Sequence, residues 1–224
     1  MIFLDTAEYS RRPWKGQRYE DGSNRPGGRL LIVGESHYHR CRPDCTTQTH
    51  ANLTVNTIQD VVDGDFRHAF FTKVAGLFQQ SKDVSGFWKE VAFYNFLQEL
   101  FEGPRRPVSK EMRLNCENQA LFFEILHSLK PDHVLVLGKA NWGALPSRPN
   151  PKEPVVCKES RLKLELPGGL HEDDVIAYWY PTGGSSWALI GAIQHPSSFG
   201  FSARRLCGWI ERFRNYPSTP TESY

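Results

Sequence analysis

Arg29-Leu-Leu-Ile-Val-Gly34, followed at once by Glu35-Ser36-His37-Tyr38-His39, is the stretch on which the fold turns. Its first part is a short continuous apolar run with β-branched members that ends at a glycine. A parallel strand buried on both faces reads this way, whereas a half-exposed strand alternates. Three more runs look alike: Val91-Ala-Phe-Tyr-Asn95, His133-Val-Leu-Val-Leu-Gly138 and Trp187-Ala-Leu-Ile-Gly-Ala-Ile193. A fifth, Val175-Ile-Ala-Tyr-Trp-Tyr180, reads as a sheet edge. Helical patterns lie between them. Phe70 to Gln80 is one. Glu111 to Leu129 is another, with Leu114, Leu121, Phe122, Ile125 and Leu129 on one face and Pro131 after its end. Ala203 to Arg214 is the last, with Leu206, Trp209, Ile210 and Phe213 facing inward. This alternation predicts an α/β protein: a three-layer α/β/α domain with a central, mostly parallel four-stranded sheet. Ligands of such sheets bind outside the carboxyl ends of the strands. That rule selects Glu35 to His39, Asn95, Lys139 to Asn141, and His195 to Phe199.

With 224 residues the chain suits a single domain. Residues 1–28 are polar and rich in Gly, Arg and Pro, and read as an irregular arm; 29–216 form the domain, and 217–224 read as a disordered tail. Pro146 to Pro154 reads as a loop. The start lacks the apolar segment of a signal peptide, and no apolar run reaches the ~20 residues that span a bilayer. With five cysteines in no disulfide-rich spacing, the expectation is a cytoplasmic protein with reduced thiols and no membrane partner. A monomer is expected. Cys41 and Cys45 lie near His37, His39 and His50, but no second pair follows at zinc-ribbon distance, so no metal and no cofactor is expected. The net charge of +2 neither requires nor excludes nucleic acid. Local basic clusters are Arg11–Arg12, Arg40 with Arg42, Arg105–Arg106, and Arg204–Arg205 with Arg212 and Arg214.

Four segments, taken in order, resemble the uracil-DNA glycosylase superfamily. Gly34-Glu35-Ser36-His37-Tyr38-His39 stands where relatives carry Gly-Gln-Asp-Pro-Tyr-His or Gly-Glu-Ala-Pro-Gly. Ala69-Phe70-Phe71-Thr72-Lys73-Val74-Ala75-Gly76 is similar to their Pro-Phe-Val-Gly-Arg-Ala-Gly helix start. Leu129-Lys-Pro-Asp-His-Val-Leu-Val-Leu-Gly138 looks like their "Lys-Pro, strand, Gly" segment, and His195-Pro196-Ser197-Ser198-Phe199 like their His-Pro-Ser-Pro-Leu. The resemblance spans about residues 29 to 205.

A glycosylase breaks the bond between C1′ of the sugar and a base nitrogen, so the sugar becomes cation-like and the base gains negative charge. The resemblance implies that His195 donates to the base anion and that Glu35 stabilises the sugar cation or activates water. The base must leave the duplex and needs a stacking platform and an edge reader. Phe71 matches the platform, with Phe70 its alternative should the register slip, and Asn95 matches the amide that reads the pyrimidine edge. Ser36 also falls among the base-binding positions, and Tyr38 stands where uracil enzymes keep a Tyr that excludes 5-substituted bases. Phe199 occupies the wedge position, while Ser197, Ser198, Arg204 and Arg205 would hold phosphates of DNA, single- or double-stranded.

The departures matter. Ser36 replaces the water-activating Asp of uracil enzymes, His37 replaces the motif Pro, and the iron–sulfur cysteines of the Gly-Glu relatives are absent from residues 1–28. The expected activity is monofunctional hydrolysis that leaves an abasic site. The base leans towards a modified pyrimidine such as hypermodified cytosine, in antiviral defence, with uracil close behind. Trp88, Tyr94 and the Trp142 loop are candidates by position alone to contact a 5-substituent, with ordinary packing the favoured reading of each. A non-catalytic DNA-binding module and an enzyme of free nucleosides are the competing readings.

Overall fold

A computed structural model describes residues 12–24, 26–39, 51–78, 83–102, 108–146, 162–164 and 175–219. The four apolar runs are four strands: β2 (Leu30–Gly34), β4 (Ala92–Asn95), β6 (His133–Leu137) and β9 (Ser186–Ile193). They lie side by side in the order β4-β2-β6-β9, all mutually parallel. The sheet is nevertheless wider than four strands and mixed, which corrects the expected architecture: among the described residues it has seven. β1 (Trp14–Lys15) adds antiparallel to β4, β8 (Val175–Gly183) antiparallel to β9, and β7 (Leu162–Leu164) antiparallel to β8. The run at Val175 is therefore not an edge: β7 covers it. β8 returns into β9 through a two-residue turn, Gly184-Ser185, with Gly184 at φ +61. A hairpin turn of that kind needs the left-handed backbone a glycine takes freely. β3 (His37–His39) and β5 (Leu100–Glu102) form a separate parallel pair.

Alternate residues of each central strand enter different cores, which is why the runs are continuously apolar. Leu30, Ile32, Leu135, Leu137 and Leu189 join one core, against α1 (Leu53–Asp63), α2 (Ala69–Phe78), α3 (Val84–Glu90) and α7 (Ala203–Asn215). Leu31, Val33, Val134, Val136 and Ile190 join the other, against α5 (Cys116–Leu129). Two short helices, α4 (Lys110–Arg113) and α6 (Lys139–Trp142), precede α5 and follow β6.

The long helix expected from Glu111 to Leu129 is two helices. Asn115 accepts a hydrogen bond from the Glu117 N–H through its side chain and starts α5, while Leu114 ends α4 and is exposed rather than facing the core. An Asn that caps a helix competes with helical continuity at its own position. Within residues 1–28, Trp14 and Tyr19 are buried; Trp14 Nε1 donates to the Trp88 carbonyl at 2.7 Å and Tyr19 to the Leu129 carbonyl at 3.2 Å. Pro217 accepts from Trp179 Nε1 at 3.3 Å. Among the described residues no helix is long and apolar enough to cross a membrane.

Trp209 and Phe213 of α7 stack with ring centroids 5.0 Å apart and cover Gly191 of β9. A Cβ there would lie 2.9 Å from Phe213 and 3.1 Å from Trp209, so close packing of helix on sheet needs a glycine at this point. Gly191→Ala is expected to lower unfolding stability by about 1–3 kcal/mol, the usual cost of overpacking. Urea denaturation checks this, and an unchanged midpoint would contradict the packing described.

Candidate functional site

Parallel register brings the strand ends together. Gly34 pairs with Asn95 and Leu137 with Ile193, so the residues that follow β2, β4, β6 and β9 leave the sheet at one edge. The chain runs from β2 outward to β4, then crosses back to β6 on the other side of β2. Such a reversal opens a crevice at the carboxyl ends of the strands.

A cavity of about 330 Å³ lies there. Glu35 and Ser36 after β2, Phe93 and Asn95 of β4, and His195 and Ser197 after β9 line it from the sheet side. Thr54, Thr57 and Ile58 of α1 line the opposite wall, with Phe66, His68, Phe70 and Phe71 from the start of α2 and the loop before it. Six residues predicted from sequence thus share one cavity: Glu35, Ser36, Phe71, Asn95, His195 and Ser197.

Gly34 is a steric requirement of this edge. A Cβ on it would overlap Asn95 Oδ1 and lie 2.7 Å from the tip of the Phe93 ring. The two loops are then joined by main-chain bonds: Phe96 N–H to the Gly34 carbonyl at 3.1 Å, and Leu97 N–H to the Glu35 carbonyl at 2.9 Å. Asn141, fully buried on α6, donates through Nδ2 to the Gly34 carbonyl at 3.4 Å and the Leu137 carbonyl at 3.3 Å. The Asn95 carbonyl accepts from Gln98 Nε2 at 2.5 Å. The Ser36 hydroxyl is buried in the cavity wall with no hydrogen-bond partner among the described residues.

The neutral ring of His195 is held as one tautomer. Its Nδ1 accepts the Ser197 N–H at 3.2 Å. A backbone N–H can only donate, so Nδ1 is bare and the neutral ring carries its proton on Nε2. Burial lowers the His195 pKa from its ordinary value of 6.5, with the Glu35 charge partly opposing. The Phe70 ring lies over it, centroids 5.6 Å apart and tilted by 33°. Phe71, the first choice from sequence, is instead wedged edge-on against Phe70 and Trp88, each at 5.2 Å.

Glu35 has a partner that sequence reading missed. Arg113 Nη2 donates to Glu35 Oε1 at 2.5 Å, across 78 residues, from a segment read as one helix with α5. No local signal marks it. His68 and Lys73 were also missed. His68 enters the cavity with Phe66 stacked on it at 5.8 Å, and Lys73 Nζ donates to the Pro196 carbonyl at 3.0 Å, tying α2 to the His195 loop.

Ser198, Phe199, Arg204 and Arg205 do not line the cavity. Ser198 and Phe199 sit on the turn after His195; Phe199 is fully exposed, and Gly200 follows at φ +79. Arg204 and Arg205 are exposed on the first turn of α7, and Arg204 lines a different cleft, of about 700 Å³, between α2, α3 and α7. That larger cleft holds none of the strand-end polar groups. The backbone of Tyr38 lies in β3, while its side chain, and Cys41 and Cys45 altogether, fall outside the described residues. Among the described residues no cluster of three His, Cys, Asp or Glu is placed to hold a metal. Trp88 and Tyr94 are fully buried, the first in one core and the second in the other, and Trp142 stacks on Tyr178 at 5.3 Å. None of the three lines the cavity, in keeping with packing as the favoured reading of each.

No protein-family model matches the chain, and no curated protein matches it.

His195 is expected to titrate below 6.5 and to be the Nε2–H tautomer above that midpoint. A raised proportion of neutral ring in the folded state means that this residue stabilises the fold above pH 6.5 and stops doing so as pH falls through its lowered folded pKa. Nitrogen-15 correlation spectra report both the tautomer and the midpoint. A proton on Nδ1 at neutral pH would contradict the geometry.

Proposed function

We propose that this protein is a DNA glycosylase of the uracil-DNA glycosylase type, which hydrolyses the N-glycosidic bond of a flipped-out pyrimidine, modified or plain. The observation that carries the reading is the convergence of Glu35, Asn95 and His195 on one aromatic-walled cavity at the carboxyl edge of the sheet, with His195 fixed as an Nε2–H donor. In the proposed reaction the electrons of the C1′–N bond pass to the base, and His195 Nε2–H donates to the base oxygen on which negative charge collects. Water adds to C1′ and gives its proton to Glu35; the base leaves as its anion and takes a proton from solvent, to which Glu35 returns its own, leaving an abasic site and a free base. A neutral donor preorganised in a partly dry site stabilises that charge at little reorganisation cost.

The other groups suit a base. Phe70 and Phe71 offer aromatic surface, and the Asn95 side chain lies at the mouth of β4 with an amide that reads a pyrimidine edge. The cavity, about 330 Å³, has room for a pyrimidine ring. The Ser36-His37 replacement, which removes the usual Asp and the rigid Pro of uracil enzymes, is what favours a modified pyrimidine, and with it a role in defence against phage DNA carrying hypermodified cytosine. Phe199, fully exposed on the turn after His195, favours a DNA substrate over a free nucleoside, because an aromatic ring there would fill the gap that a flipped base leaves. Ser197, Ser198 and Arg205 would then meet flanking phosphates.

The test uses oligonucleotides bearing uracil, hydroxymethylcytosine, glucosylated hydroxymethylcytosine or hypoxanthine, incubated with the protein, cleaved with alkali and examined by mass spectrometry for the released base. One pyrimidine substrate is expected to break. His195→Ala should cut turnover by about 10²–10³-fold, the usual loss of one such donor, with DNA affinity nearly unchanged. Intact strands on every substrate would favour a non-catalytic DNA-binding module.

A further inference from the structure

Glu35 and Arg113 form a partly buried ion pair, the two side chains being 24% and 16% exposed. Arg113 reaches it from the last residue of α4, a helix capped by the Ser109 side chain, and does not line the cavity. Its guanidinium is anchored on a second side: Nη1 donates to the Val108 carbonyl at 2.8 Å. One carboxylate oxygen of Glu35 is therefore held from behind, by a fork whose own position is fixed by main chain. Among the described residues, the other groups with charge or titratable protons that line the cavity with Glu35 are His195, after β9, and His68, before α2.

We infer that Arg113 is a positioning residue: it clamps Oε1 of Glu35 so that the second oxygen is aimed at the water that attacks C1′. The inference rests on the glycosylase reading and narrows it. A carboxylate paired with a guanidinium at 2.5 Å exerts a much weaker field on a cation elsewhere than a lone carboxylate does. Glu35 so paired is poorly suited to act as a bare counter-charge for the sugar and well suited to act as an oriented acceptor. Water oxygen bonds to C1′, the C1′–N electrons leave with the base, and the water proton passes to the free oxygen of Glu35. A planar, two-point donor keeps that oxygen in line, which a single flexible ammonium does less well.

The experiment combines a readout of the pair with a readout of the reaction. Crystal structures of the wild type, Arg113→Met and Arg113→Lys record where the Glu35 carboxylate points. Base release is measured for the same proteins, for Glu35→Gln and for Glu35→Gln/Arg113→Met, with thermal unfolding checking that each folds. Arg113→Met is expected to turn the Glu35 carboxylate away from its wild-type position and to lower kcat by about 10- to 100-fold with KM little changed, the scale of loss when a reacting group is misplaced. Arg113→Lys should restore part of both. In the Glu35→Gln background, Arg113→Met should cost less than about threefold more, because it acts through Glu35. An unmoved Glu35 carboxylate in Arg113→Met, or the same fold-loss in both backgrounds, would overturn the inference while leaving the glycosylase reading intact. Wild-type base release by Glu35→Gln would overturn the inference and the assigned role of Glu35 together.

Discussion

The close approach of Asn95 and Phe93 to Gly34 sets the geometry on which the rest of the site depends. Any side chain at position 34 would occupy the space of the Asn95 amide oxygen, so β2 and β4 can bring their ends together only with glycine there. Once they do, the main chain of residues 34–35 accepts from residues 96–97, and Asn141 adds a donor from the β6 side. Glu35 thereby leaves the sheet from a backbone tied on both flanks. The apolar faces of the same strands, buried in two opposite cores, hold the edge rigid from below.

The cavity above this edge combines apolar walls with few polar groups. Phe66, Phe70, Phe71, Phe93 and Ile58 keep part of it dry, while Glu35, Ser36, Asn95 and His195 supply the hydrogen bonding. Partial desolvation is also what lowers the His195 pKa and leaves its ring neutral. In such surroundings a fixed donor acts more strongly than in water, because the low local dielectric does not screen it. The reading of the protein as a glycosylase rests on this combination and on the uncovered Phe199, one turn beyond His195.

Much of the parallel core was legible in the sequence because strands buried on both faces must be continuously apolar. Leu30 to Gly34 and His133 to Leu137 carry that mark without interruption. The added antiparallel strands did not stand out. Trp14–Lys15 is too short to show a period, though Thr182-Gly183-Gly184-Ser185 is a readable hairpin signal that was passed over. Site residues directly after a strand, such as Glu35 and His195, were readable because topology alone places them. Arg113 was not, since its partner lies 78 residues away and only the folded chain brings them together. Phe70 and Phe71 show the limit of motif matching: adjacent residues on a helix point about 100° apart, so a register error of one residue changes which ring meets His195.

The central claim is that this cavity receives a base turned out of DNA. A crystal structure of the protein with DNA carrying a 2′-fluorinated pyrimidine nucleotide tests it most directly, because the electron-withdrawing fluorine disfavours the cation-like sugar and slows bond breaking. The account predicts the base between Phe70 or Phe71 and Asn95, a carbonyl oxygen about 3 Å from His195 Nε2, and Glu35 on the C1′ side. A base left stacked in the helix, or DNA lying along the cleft between α2, α3 and α7 with the cavity unused, would contradict it.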